Sequence, residues 1–224
     1  MKKLLIIAIL ILSPFFCKAE NFCLIADIHN GNGTRERSND NITYPKYGNR
    51  YFKEALKRAK TNKVDACIIL GDNTNIGKSN DAKQLASTAK KSGVKAIFIR
   101  GNHDSSKSQK YLSNKTNYYV DIGNVRVIVL DSTATNPNGN GGVSVANIRF
   151  YEQAIKTEKK IILAMHHPPF DRGTHEWNPS YDWIGEKPDA ILGGHFHKEF
   201  KKGKFWSVPA LTLKKNLEMR YLSL

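Results

Sequence analysis

Five short stretches of this chain carry side chains that bind cations. They are Asp27-Ile28-His29, Gly71-Asp72-Asn73, Gly101-Asn102-His103-Asp104, His166-His167-Pro168-Pro169 and Gly193-Gly194-His195-Phe196-His197. Six of the seven histidines lie in them, and only His175 lies elsewhere. Carboxylates, an amide and imidazoles with no thiolate suit Mn, Fe, Zn or Co, not copper(I) or a soft sulfur site. Gathered away from water, such groups are expensive unless a cation joins them. There are too many donors for one ion, and two ions sharing a carboxylate account for all of them. Asp27 and His29 stand two apart, as do His195 and His197. On an extended segment each pair projects to one side. Taken singly, each motif also reads as an ordinary turn or loop. It is their order and their common setting that point to a metal centre.

That setting is the mouth of an apolar run. "FCLIA" (22–26), "ACIIL" (66–70), "AIFI" (96–99), "IILAM" (161–165) and "AIL" (190–192) each run directly into one motif. Between them the 3.6-residue period predicts helices at about Arg50–Thr61, Ala82–Lys91 and Val145–Thr157. "YYVDI" and "VRVIVL" flank Gly123-Asn124 and read as an antiparallel hairpin. "FWSVPALTL" and "MRYLSL" near the end read as short strands. Strand-helix alternation predicts an α/β class with a largely parallel core and added antiparallel strands. Ligands in such sheets bind beyond the carboxyl ends of the strands, where the five motifs stand. Loops at 30–48, 133–142 and 172–181 are expected to line the opening.

The 224 residues, with 40% hydrophobic and 25% charged, suit one globular domain without repeats or a linker. "MKKLLIIAILILSPFFCKA" has a basic start, a short apolar core and small residues before Glu20. It predicts a signal peptide over 1–19, cleaved after Ala19, a mature domain over 20–224, and a periplasmic or secreted location. The alternative is an uncleaved membrane anchor, for which the apolar core is short. The formal charge is +15, and without Lys2, Lys3 and Lys18 it is 15 − 3, or +12. This favours anionic partners, although the lysines are scattered along the chain and also read as a solvated face. No aromatic-interleaved basic motif or nucleic-acid fold signature stands out. Cys23 and Cys67 sit inside apolar runs and read as buried free thiols, and no zinc-type cysteine spacing occurs.

The ordered set D-x-H, GD-N, GNHD, HHPP and GHxH, spanning Phe22 to Lys198, resembles the calcineurin-like metallophosphoesterases. The resemblance implies a four-layer fold, a two-sheet β-sandwich flanked by helices. It also implies a binuclear centre of divalent or mixed-valence Mn, Fe or Zn. One ion would be held by Asp27, His29, Asp72 and His197, and the other by Asp72, Asn102, His166 and His195, with Asp72 bridging. His103 would contact phosphate and donate a proton, with Asp104 orienting it, while His167 would have no ligand role. Purple acid phosphatases of this family place a tyrosine where Asn75 stands, so a non-purple centre is expected. The activity implied is hydrolysis of a phosphomonoester or phosphodiester by a metal-bridging hydroxide. The competing readings are a nuclease on extracellular nucleic acid, which would enter only as substrate, and a non-catalytic scaffold on the same fold. No stable membrane insertion is expected after leader cleavage.

Overall fold

In chain order the elements are β1 (Asn21–Ile25), β2 (Glu36–Ser38), β3 (Asn41–Thr43), α1 (Gly48–Thr61), β4 (Ala66–Ile69), α2 (Ser79–Ser92), β5 (Ala96–Phe98), α3 (Ser106–Leu112), β6 (Tyr118–Ile122), β7 (Val125–Val129), α4 (Val145–Ala154), β8 (Lys160–Ala164), β9 (Ala190–Gly193), β10 (Phe200–Lys202), β11 (Phe205–Ser207) and β12 (Arg220–Ser223), with 3-10 turns at Pro45–Tyr47 and Pro179–Ile184. This computed structural model describes residues 18–33, 36–38, 41–135, 141–171, 174–213 and 216–224. The expected leader thus lies, through residue 17, outside the described residues, as do parts of all three loops expected at the opening. No helix among the described residues is long and apolar enough to cross a membrane.

Two sheets carry the fold. One has the order β12-β1-β4-β5 and the other β10-β11-β9-β8-β7-β6, and β2 and β3 form a separate hairpin. β1, β4 and β5 pair in parallel, as do β7, β8, β9 and β11, while β12, β6 and β10 close the edges antiparallel. The strands alternate sides, and both sides are apolar, because each sheet is covered twice. From β1 and β4, Phe22, Leu24, Ala66 and Ile68 face Val127, Val129, Ile162 and Leu192 of the second sheet. Their alternates Cys23, Ile25, Cys67 and Ile69 pack under Phe52, Ala55, Leu56 and Ala59 of α1 and Leu85 of α2. On the far side Ile161 and Leu163 meet Tyr151 and Ala154 of α4, with Tyr181 and Ile184 of the second 3-10 turn. The result is four layers, helix on sheet on sheet on helix, as expected. Cys23 and Cys67 are register partners in β1 and β4, buried and unbridged.

The helices at 48–61, 79–92 and 145–154 fall close to their expected spans, and β6 and β7 meet across Gly123-Asn124 as a hairpin. The sequence reading missed α3, the β2–β3 hairpin and both 3-10 turns. α3 is short, and the side chains it buries are the polar Ser108 and Gln109. It starts on a Ser105 hydroxyl that accepts from the Ser108 N–H at 3.0 Å.

Ile68 lies fully buried between the sheets. Ile68→Ala should cost about 2–5 kcal/mol of unfolding free energy, measured by urea titration. Ile76→Ala, at 65% exposure, should change it by no more than about 0.5 kcal/mol.

Candidate metal centre

The five strand ends do converge, but by bending. Asp27, His29, Asp72, His195 and His197 all have left-handed backbones, with φ of 50, 48, 47, 64 and 56°. Such values are uncommon for residues with a Cβ, and Asp and His tolerate them better than most. The paired projection expected of an extended D-x-H or H-x-H segment is therefore not how these side chains meet. Each chain curls back at the end of its strand. Backbone bonds fix the curl: the N–H groups of Asp27, His29 and Asn30 donate to the carbonyls of Gly71, Asp72 and Asn73 at 2.8–3.1 Å. Gly71, at φ 83°, leaves room for the His166 ring, and a Cβ on Gly101 would overlap the Asp72 amide and carboxylate.

Asp27, His29, Asp72 and His197 come together, each buried and each offering one donor atom within 4.8 Å of the others. His29 Nε2 lies 3.1 Å from His197 Nε2 and 3.7 Å from Asp72 Oδ2, and His197 Nε2 lies 3.4 Å from Asp27 Oδ1. Asp72 also faces the other side, where its Oδ2 stands 3.3 Å from His166 Nε2. That same nitrogen lies 3.1 Å from Asn102 Oδ1. His195 belongs to a second group of converging donors, formed with His166 and His167. Asp72 thus stands between two sets of nitrogen ligands, the position a shared carboxylate must occupy.

His166 Nδ1 donates to the Leu70 carbonyl at 2.8 Å, since a carbonyl can only accept. This leaves Nε2 to face Asp72 and Asn102. Burial pushes the Asp72 carboxyl up, but the charge and hydrogen bond of His166, with His29, outweigh it and hold Asp72 well below the usual carboxylate range. Asp27 is also lowered, with His197 overcoming burial in the same way. Burial drives His29 down to about 3, so its ring is neutral and offers a lone pair. Burial opposes the charge on His166, yet Asp72 and Asp27 raise it to about 9. Neither Asp27 nor Asp72 has a lysine or arginine partner among the described residues, and their ion pairs are with imidazoles alone. The proton on His166 balances charge where a divalent cation would do so better. The donor set fits two metal ions on those grounds, with oxygen and nitrogen ligands of the kind Mn, Fe and Zn accept.

His103 lies at the rim, half-buried, with its ring centroid 4.7 Å from that of His29. Its backbone N–H donates to Asp72 Oδ1 at 2.9 Å. The expectation that Asp104 orients the His103 ring needs correction. His103 Nδ1 is instead 2.6 Å from the Asn75 carbonyl oxygen, and that contact sets its tautomer. The Asp104 carboxylate is buried and accepts from the N–H groups of Asn73, Thr74 and Gly101 and from the side chains of Asn73 and Thr74. Asp104 ties two ligand loops together, and its neighbours in sequence are what it positions. Asn75, which the sequence reading valued only for not being tyrosine, contributes through its backbone. His167 lies closer to the cluster than expected, its ring 4.4 Å from that of His195, with Nδ1 3.0 Å from Ser132 Oγ. His175 is exposed and stacks on Phe200.

The sequence pattern described as calcineurin-like phosphoesterase matches residues 21–199. A probable glycerophosphodiester phosphodiesterase of Arcobacter nitrofigilis is 26% identical over 147 residues, covering 61% of this chain and 54% of that protein. A probable cyclic nucleotide phosphodiesterase of Rhodopseudomonas palustris is 27% identical over 153 residues, covering 58% of this chain and 56% of that protein. The chain thus spans about half the length of these curated relatives. A dimetal phosphatase from Danio rerio superposes with a TM-score of 0.68 at 12% identity, covering 87% of this chain and 88% of that one.

Elemental analysis of chain purified without chelator should find about two ions, and Asp72→Ala should lose most of both. Asn102→Ala should fall toward one ion, while His167→Ala keeps two. The reverse order would make His167 the ligand. Because a ligand bound only by the folded state adds about 2.7 kcal/mol at a hundred times its dissociation constant, chelation should lower the melting temperature by about 5–10 °C.

Proposed function

The chain belongs to the calcineurin-like phosphoesterase family, and from that premise we propose that it is a metal-dependent hydrolase of phosphate esters. The observation that carries this reading is Asp72, buried between two sets of imidazoles with no ammonium or guanidinium beside it among the described residues. Asp27, His29, Asp72 and His197 would hold one ion, and Asp72, Asn102, His166 and His195 the other. Bound there, two divalent ions supply Lewis-acid polarisation of a phosphoryl group and acidify water near neutral pH.

The protein's own groups do the rest. Asp27 and Asp72 contribute two negative charges, fewer than two divalent cations bring, so the pocket favours the spread charge of a phosphoryl group in transfer. Asn75 holds the proton on His103 Nδ1, so proton transfer falls to Nε2. His103 therefore serves as the donor to a departing alkoxide, and the Asp104 bonds keep the loop beneath it in place. The names of the two curated relatives support a phosphodiester as substrate. We propose export as well, supported by the basic and apolar pattern of residues 1–19. Mass spectrometry of native protein should find Glu20 at the N-terminus, and a chain beginning at Met1 would end that reading.

Purified protein should hydrolyse bis(4-nitrophenyl) phosphate faster than 4-nitrophenyl phosphate, and the opposite preference would move the assignment to monoesters. A proton donor matters most for poor leaving groups. His103→Ala should keep its metal yet lose about 10²–10⁴-fold on alkyl esters, with a far smaller loss on nitrophenyl esters. Equal losses on both would make His103 a phosphate contact and not a donor.

A further inference from the structure

Eight lysines that look scattered along the chain are brought by the fold into one helical layer. The helical layer of α1, α2 and α3 carries Arg50, Lys53, Lys57, Arg58, Lys60, Lys83, Lys90, Lys91, Lys107 and Lys110 against only Glu54 and Asp81. α4, in the opposite layer, carries one of each sign, Arg149 and Glu152. Within the basic layer a groove of about 830 Å³ runs between α1 and α2, lined by Arg50, Lys53, Lys57, Lys60 and Lys91. Its one acid, Glu54, lies 3.3 Å from Arg58 Nε in an ion pair within the same helix. Lys53, Lys57 and Lys91 are exposed and make no ion pair among the described residues.

The groove also has an aromatic ring in its lining, Tyr51, with Tyr47 beside it, in a segment the sequence reading passed over. "YPKYGNRYFK" (44–53) alternates aromatic and basic residues across the first 3-10 turn and the start of α1. Arg50 lies 4.6 Å above the Tyr47 ring and 5.0 Å above the Tyr51 ring, and the two rings are 5.8 Å apart. From Arg50 to Lys60, the cations at positions 50, 53, 57 and 60 share one face over about 15 Å of helix. Such a row of cations runs as a positively charged track along which the backbone of a strand could lie. The aromatic segment is joined to the metal centre: the Asn49 N–H donates to Asn30 Oδ1 at 3.0 Å, and Asn30 follows His29.

We propose that the α1–α2 groove binds single-stranded nucleic acid, its lysines tracking the phosphates and the Tyr47–Tyr51 pair stacking with bases. An anionic lipid surface would also answer to the charge. A concave groove with an aromatic ring in its lining suits a strand better than a membrane plane. The groove would bind whether or not the metal centre turns the strand over, so this inference and the hydrolase reading fail separately.

The test is fluorescence anisotropy of a labelled twelve-nucleotide oligothymidylate with the full chain at several salt concentrations, strand integrity being checked on a gel. Lys57→Glu with Lys91→Glu should weaken binding tenfold or more. It should also lower the steepness of log K against log salt by about 1.4, at roughly 0.7 for each phosphate left without its lysine. Tyr51→Ala should weaken binding with little change in that slope. Lys156→Glu with Lys187→Glu changes the charge equally in the opposite layer and should have little effect. Lys57→Gln with Lys91→Gln repeats the measurement without new carboxylates. Equal losses in the two Glu pairs would overturn the proposal in favour of unspecific attraction. Tighter binding to phosphatidylglycerol vesicles through Lys57 and Lys91 would overturn it in favour of a membrane.

Discussion

Two buried carboxylates with no lysine or arginine partner among the described residues are the constraint on which this structure turns. Asp27 and Asp72 are at most 1% exposed, and among the described residues their ion pairs are with imidazoles alone, helped by the backbone N–H groups of His195 and His103. An isolated carboxylate in such a place would take a proton and become neutral. Here both are instead held ionised, at the expense of a protonated His166 beside them. A pocket that keeps both carboxylates charged and His29 neutral holds these three donors in the protonation states that metal ligation requires, and His166 joins them by giving up its Nε2 proton for the incoming cation.

Holding those groups requires backbone conformations that the residues themselves resist. Five left-handed Asp and His residues, each costing of the order of 1–3 kcal/mol, stand at the ends of the strands. They persist because the strands behind them are fixed on both faces. β1 and β4 bury Phe22, Leu24 and Ile68 against the second sheet, and Ile25 and Ile69 against α1 and α2. The ladder between the two strands then continues past their ends through Gly71, Asp72 and Asn73. On the other side, Arg100 joins Asp131 at 3.2 Å and the Asp104 carbonyl at 3.3 Å, linking the mouths of the two sheets. The double-faced core and the ligand geometry are one device.

How much of this was legible in the sequence depends on the range of the interaction. Apolar runs that stop on Asp, Asn or His announced both the sheets and their functional end, because strand burial and ligand type are properties of single segments. α1 was readable from Phe52, Ala55, Leu56 and Ala59 at helical spacing. α3 was not, because it buries Ser108 and Gln109 and its only signal is the Ser105 cap. The support of His103 was misread because Asp104 is its neighbour in sequence. The atom that holds the ring is the backbone oxygen of Asn75, brought there by the loop after β4, and a main-chain carbonyl leaves no mark in residue types. The left-handed turns were equally silent, since Asp and His carry no requirement for them as glycine would.

Charge shows the same limit more sharply. Along the chain the lysines alternate with other residues and look like a solvated coat. The order of the first sheet places α1, α2 and α3 side by side on its outer face, and segments far apart in sequence then present one sign. The other helical layer stays balanced. A field of this kind raises the local concentration of anions near the whole sheet, falling off over about a Debye length of 8–10 Å in physiological salt. The metal centre opens at the ends of the strands that this layer covers, and α1 begins beside Asn30. An anionic chain drawn to the helical layer is therefore held next to the pocket before any donor of the centre touches it.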